Sequence, residues 1–216
     1  MRIFIKRYGY EVSNTTMHKY MNKELNLCAI IMHSKPGYKA GKKNKIFDNL
    51  LNQKFTVDCK NKVWCTDFTY MRQPNGKFRY NCSIIDLYDR SAVASLNSDC
   101  INTDLAINTL KTALKKEKHP KVILHSDQGV QFTSCEFVNF CKDNNITQSM
   151  SKAGCPYDNA PMERFYNNFK SNFYNVTSFS NVEVMDELTT KYINWYNYVR
   201  PHSHNNYLTP MEARYK

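Results

Sequence analysis

From Val63 onward, apolar and polar positions alternate and then change period in a way that lays out a mixed sheet with helices around it. Val63-Trp64-Cys65-Thr66-Asp67-Phe68-Thr69-Tyr70-Met71 is β-branched and aromatic, which predicts a strand, and Pro74-Asn75-Gly76 supplies a turn. Phe78 to Leu87 reads as a second strand. Ala92 to Leu96 is a third, after the bend at Tyr88-Asp89-Arg90-Ser91, so the three make an antiparallel meander. Thr103 to Lys118 switches to helical spacing through Leu105, Ala106, Thr109, Leu110, Ala113 and Leu114, and His119-Pro120 stops it. Val122 to Leu124 is a short apolar strand that ends near Asp127. Thr133 to Cys141 reads as a helix with Phe137, Val138 and Cys141 inward, and Ile146 to Met150 as a fifth strand. After the Gly154-Cys155-Pro156 loop, Asp158 is placed to cap a further helix with Pro161 in its first turn. Met162, Phe165, Phe169 and Phe173 form the apolar stripe of that helix, and Glu163, Asn167 and Lys170 a neighbouring polar face. Val182 to Val199 is a last aromatic helix, closed by Arg200-Pro201. The fold class is therefore α/β, a mixed five-stranded sheet flanked by helices.

The first 62 residues have a different texture. Met1 to Tyr10 alternates basic and apolar residues up to a turn at Gly9. Ser13 or Asn14 can cap a short helix whose Val12, Met17, Tyr20, Met21 and Leu25 recur at spacings near three and four. A helix–turn–helix remnant presenting Thr15, Thr16, His18 and Lys19 to a DNA groove fits this pattern, and so does any small amphipathic helix. Residues 35–62 form a basic connector, with Lys42, Lys43 and Lys45 at its centre, suited either to a solvated linker or to chain laid along phosphates. The expected organisation is a partial DNA-binding region over 1–34, the linker over 35–62 and a core over 63–216.

Charge supports that division. The 216 residues carry a formal net charge of +11. Residues 1–62 hold 13 Lys+Arg against 4 Asp+Glu, whereas the later segments are near neutral. A basic front on a near-neutral body points to a polyanionic partner, because Lys and Arg gain affinity by releasing counterions from phosphates. The 42% hydrophobic content argues against wholesale disorder. No two of the eight cysteines have the close spacing of a zinc knuckle, and they read as reduced thiols of a cytosolic protein. His202 and His204 are too isolated for a ligand set. There is no signal-peptide pattern and no apolar run near the roughly 20 residues of a membrane span. The expected location is the bacterial cytoplasm, on the nucleoid when DNA is bound.

Three acids stand out. Asp67 lies within the first strand, Asp127 just after the fourth, and Glu163 on a helix, with 35 residues between the last two. A sheet that sets the first and fourth strands side by side brings them to one edge. Clustered carboxylates repel unless a cation neutralises them, and hard oxygen donors suit Mg2+ or Mn2+. Two such ions about 3.5–4 Å apart promote in-line phosphoryl displacement. A lone Asp or Glu is ordinarily a solvated or capping residue, but an acid inside so apolar a strand costs stability unless compensated.

Six stretches carry a resemblance: Trp64-Cys-Thr-Asp67-Phe-Thr-Tyr, Ile85-Asp-Leu-Tyr-Asp-Arg90, His125-Ser-Asp127-Gln-Gly-Val-Gln-Phe-Thr-Ser134, Ser149-Met-Ser-Lys-Ala-Gly154, Asp158-Asn-Ala-Pro-Met-Glu163-Arg-Phe and Tyr196-Asn-Tyr-Val-Arg200-Pro-His-Ser203. Together they resemble the second-reading-frame transposases of the third insertion-sequence family, relatives of retroviral integrases, from about Gly9 to Glu212. The resemblance implies a ribonuclease H-like core in which Asp67, Asp127 and Glu163 are catalytic and bind the metals. It further implies strand nicking at element ends and strand transfer to target DNA, homo-oligomers on DNA, and a first-frame partner or fusion. Asn159 and Lys170 are expected near DNA, and His125 and Ser126 are expected to shape the Asp127 turn. Arg164, where the family usually has Ser after the glutamate, Gln128, and Asn205-Asn206 depart from the family pattern without removing a ligand. Typical members have a longer helix–turn–helix region, so the competing expectation is a truncated relic that binds DNA without completing transposition. A nuclease acting on RNA–DNA hybrids is a third reading, disfavoured by the match from His125 to Glu163.

Overall fold

The computed structural model describes residues 1–27, 45–118 and 120–216. Helices α1 (Arg2–Arg7) and α2 (Asn14–Lys19) come first, the latter running into a π-type turn over Tyr20–Glu24. The body then runs β1 (Val63–Arg72), β2 (Phe78–Asp86), β3 (Ala92–Ser98), α3 (Thr103–Lys116), β4 (Ile123–Ser126), α4 (Val130–Thr133), α5 (Cys135–Asp143), β5 (Thr147–Met150), α6 (Ala160–Asn172), α7 (Val182–Tyr198) and α8 (Pro210–Arg214). The sheet order is β3-β2-β1-β4-β5, with β1, β2 and β3 antiparallel and β1, β4 and β5 parallel. The expected meander and the expected β1–β4 neighbourhood are both present.

Strand alternation divides the core between two faces. Trp64 and Ile84 face α3 and α5, where Leu110, Leu114, Phe132 and Phe137 close over them. Cys65, Met71 and Ile85 face α6 and α7, where Met162, Phe165, Phe169, Tyr192 and Tyr196 pack. The α6–α7 seam is aromatic, with Phe165 edge-on to Tyr196 at 5.1 Å and Phe169 edge-on to Tyr192 at 5.2 Å. Such pairs add about 0.5–1.5 kcal/mol each beyond area burial, which holds α6 against α7.

Several expectations are corrected. Arg2–Arg7 forms helix α1, and the expected turn at Gly9 is present, with φ +86°. Ser13 caps α2, accepting from the Thr16 amide at 3.0 Å, but of the expected stripe Met17 alone is buried, and Tyr20 and Leu25 are exposed. The single helix expected over Thr133–Cys141 is two, because Ser134 takes extended angles and caps α5 through the Phe137 amide. Asp158 does not cap α6. A 3-10 turn over Pro156–Asn159 precedes that helix, whose cap position is Asn159. Helix α8 was not foreseen. Part of the expected connector lies on the body, with Leu51 buried and Phe47, Phe55 and Val57 packed against the two core faces.

Candidate functional site

β1 pairs with β4 from Val63↔Ile123 to Cys65↔His125 and then runs on paired with β2 only, as far as Arg72↔Phe78. Continuing that register by two residues sets Asp67 beside Asp127. Among the described residues, no strand covers that side of β1 beyond the last β4 pair, so both acids sit in a notch where the β1–β4 pairing ends. Both are half-buried. Asp67 is further shaped from the α6 side. Tyr166 donates its hydroxyl proton to the Asp67 carbonyl at 2.8 Å, which locks α6 to β1 one turn after Glu163. Tyr166 is therefore a structural tie that sequence reasoning missed. Glu163 is exposed in the first turn of α6.

The electrostatics show that the three acids share one field. Burial pushes the Asp67 carboxyl up to about 8, and the charges of Asp127 and Glu163 push the same way, while the Phe68 amide and Lys170 oppose them. The direction is that of a carboxyl held among like charges, which favours its neutral form. Among the described residues, no three His, Cys, Asp or Glu side chains are gathered closely enough to hold a metal ion as they stand. The donor set nevertheless fits one by chemistry: three carboxylates, no competing thiolate or imidazole, and a repulsion that a cation would relieve.

Asp127 is oriented from the main chain. The Gly129 amide donates to its Oδ1 at 2.9 Å, and a Cβ at Gly129 would meet that oxygen at 2.9 Å. The backbone angles of Gly129, φ −58° and ψ 147°, are open to any residue, so the close approach to Asp127 is what excludes a side chain.

His125 is a satisfied core histidine. Its Nε2 lies 2.9 Å from the Asp158 carbonyl, which can only accept, so that nitrogen carries the proton. Nδ1 then accepts from Ser149 Oγ at 2.9 Å, and Ser149 in turn accepts from the Leu50 amide at 3.0 Å. Burial holds the His125 imidazole below its ordinary value, in keeping with a neutral ring. Asp158 takes its own bonds from Asn49 Nδ2 and Gln53 Nε2, both at 2.9 Å, and from the Lys152 amide at 3.0 Å. Residues 49–53 thus strap the loop that leads into α6.

The remaining candidates are distributed around this notch. Lys170 is half-buried, its Nζ 4.5 Å from the centre of the Tyr70 ring, and it feels Asp67. Asn159 is buried with neither amide atom hydrogen-bonded. Lys45 rests over Phe47 at 5.0 Å, and Lys42 and Lys43 lie outside the described residues.

Comparison with known proteins places this arrangement. A simian T-cell lymphotropic virus intasome, solved in complex with PP2A regulatory subunit B56 gamma, is matched over all of this chain and 70% of its own, with a TM-score of 0.61 at 15% identity. The HTLV-2 integrase catalytic core domain, solved with magnesium in a trimeric form, is matched over 72% of this chain and 97% of its own, with a TM-score of 0.55 at 16% identity. The fold is thus that of a retroviral integrase catalytic core, a ribonuclease H-like sheet. Models of the integrase core domain match residues 57–156 and 144–210. InsK of insertion sequence element IS150 from Escherichia coli (strain K12), named a transposase, is 31% identical over 97% of this chain and 74% of its own length. Transposase InsF of insertion sequence IS3A from the same strain is 34% identical over 79% of this chain and 60% of its own length. The chain belongs to the integrase core domain family, among the transposases of the third insertion-sequence family.

Proposed function

We propose that this chain is the catalytic part of a DNA transposase in which Asp67, Asp127 and Glu163 hold two divalent cations, Mg2+ or Mn2+, for strand nicking and strand transfer. The observation that carries the reading is the β1–β4 register, which sets half-buried Asp67 beside Asp127, with the charges of Asp127 and Glu163 both raising the Asp67 carboxyl. Bound ions would supply an activated water or 3′-hydroxyl and stabilise the leaving oxygen of an in-line displacement. The chain's own part is positioning. Gly129 aims Asp127, Tyr166 registers α6 against Asp67, and Glu163 comes from the exposed first turn of α6. Lys170 sets a positive charge beside Asp67 where a phosphate would pass, and the unpartnered Asn159 amide offers a donor and an acceptor near the start of α6. Residues 1–34 and the basic segment with Lys42, Lys43 and Lys45 would hold DNA, leaving 63–216 as the catalytic core. On DNA the protein works as a homo-oligomer, with a first-frame partner or fusion adding end recognition.

The test uses duplexes carrying the ends of the element and Mg2+. Wild type nicks and joins strands, whereas Asp127→Asn binds with unchanged affinity and cuts at least about a hundredfold more slowly, the scale expected when a group that stabilises the transition state is lost. Cutting by Asp127→Asn at the wild-type rate would sink the assignment.

A further inference from the structure

The far end of the β1–β2 hairpin carries an exposed aromatic surface that the catalytic notch does not use. In the antiparallel register Tyr70 lies opposite Tyr80 and Arg72 opposite Phe78, so all four side chains share one face of the hairpin. Tyr70 and Phe78 are 44% and 42% exposed. Their rings meet edge to face at 5.6 Å, and Phe78 continues to Tyr80 at 6.4 Å. Cations attend this row: the Arg72 guanidinium lies 5.5 Å from the Phe78 ring centre and Lys170 Nζ 4.5 Å from that of Tyr70. Lys77 is exposed beside them. Asp99, an acid lining the groove beside the row, is already held by Arg79 at 2.7 Å. Beside Phe78 and Tyr80 opens a groove of about 520 Å3, whose wall includes the amides of Gln73 and Asn75.

We propose that this row is a stacking platform for unpaired bases of the DNA being cut. Two exposed rings in line are a liability for a soluble protein unless a partner covers them. Every base offers a ring face, and basic side chains at the margins suit a single strand's phosphates. The platform neighbours the catalytic notch: Tyr70 is three residues beyond Asp67 on β1, which sends its side chain to the opposite face, and Lys170 joins the two, lying over the Tyr70 ring while its charge is felt at Asp67. An exposed cation over a ring is worth only a few-fold in affinity, whereas stacking a base is worth about 5–150-fold. A base therefore displaces the cations from the rings toward its phosphates. The groove is within the roughly 300–1,000 Å3 of sites that accept small organic groups. The proposal rests on the reading of the chain as a DNA-cutting enzyme and names the part of the substrate that lies beside the cut.

The test measures binding without cutting. The full chain carrying Asp127→Asn is titrated, without divalent metal, with a blunt duplex and with the same duplex bearing a single-stranded tail containing 2-aminopurine. The tailed duplex is expected to bind at least about tenfold more tightly, with quenching of the 2-aminopurine signal. Adding Tyr70→Leu and Phe78→Leu abolishes the preference and the quenching while leaving the blunt duplex unaffected, and Phe78→Trp in place of Phe78→Leu restores both. Equal binding of tailed and blunt duplexes by the parent would overturn the platform, as would an equal loss on both from the leucine pair. Because no cutting is read, a failed assignment of the catalytic acids would leave this result standing, and the reverse holds as well.

Discussion

Asp67 takes up a proton on folding, and that sets how this site responds to pH. Its carboxyl rises from 3.8 to about 8 through burial and the charges of Asp127 and Glu163. Between those values the folded protein binds more protons than the unfolded chain, so this residue lowers stability as pH rises from about 4 to about 8. Asp67→Asn imitates the neutral carboxyl and removes that slope. In metal-free buffer the variant is expected to match the wild-type Tm near pH 4 and to exceed it by a margin that widens toward pH 8. Added Mg2+ should raise the wild-type Tm and leave the variant nearly unmoved. A constant difference across pH, or an equal response to Mg2+, would show that Asp67 stands outside any shared carboxylate field. At this scale the sequence was informative about acids and uninformative about what aims them. An acid inside a Trp-Cys-Thr-Asp-Phe strand is conspicuous because burial is costly. That Gly129 aims Asp127 follows from a 2.9 Å approach, and that Tyr166 ties α6 to β1 follows from a contact 99 residues away in sequence, which no local pattern contains.

Elements with strong periodicity were legible, and those held by a partner elsewhere were not. The five strands and the helices α3, α6 and α7 follow from β-branched runs and from stripes repeating at three and four residues. Asp158 shows where local reasoning fails. It sits where a helix cap is expected, yet the 3-10 turn before α6 moves the cap position to Asn159, and the Asp158 carboxylate instead receives Asn49, Gln53 and the Lys152 amide. These donors hold the Asp158 carboxyl below its ordinary value, the Lys152 amide contributing most and Gln53 next. The strap over residues 49–53 is therefore built into the approach to α6, and through α6 into the placement of Glu163. Asp158→Ala leaves those donors without an acceptor, at a cost of about 1–3 kcal/mol. Hydrogen exchange should quicken at residues 49–53 and 152–159 together, with β1, β2 and α3 unchanged. Faster exchange in only one of the two segments would mean that the strap and the loop are not coupled.

Across the whole molecule, the C-terminal segment is joined to the sheet by a buried ionic cluster whose pairing was not apparent from the sequence, although Asp86 and Asp89 belong to one of the recognised motifs. Arg214 on α8 reaches Asp86 at 2.9 Å and Asp89 at 2.5 Å with one nitrogen, and Glu117 at 2.6 Å and Asn61 at 2.8 Å with the other. The side chains of Arg214, Asp86 and Asp89 are at most 1% exposed. Burial and the neighbouring Asp89 push the Asp86 carboxyl up even though Arg214 is present, so the guanidinium is what makes two adjacent buried acids tolerable. The cluster gathers the end of β2, the residue after α3, the chain just before β1 and the last helix at one point. Removing one partner of a buried ionic group leaves the others desolvated and uncompensated, at a cost of about 3–5 kcal/mol. Arg214→Met keeps much of the side-chain length and is expected to lose that much stability in urea unfolding, a fall in Tm of roughly 6–20 °C for a chain of this size. Adding Asp86→Asn removes one of the stranded charges and should recover part of the loss, which separates an electrostatic cause from lost packing. A cost below about 1 kcal/mol for Arg214→Met, or no recovery in the double variant, would show that the cluster is not what fastens α8 to the sheet.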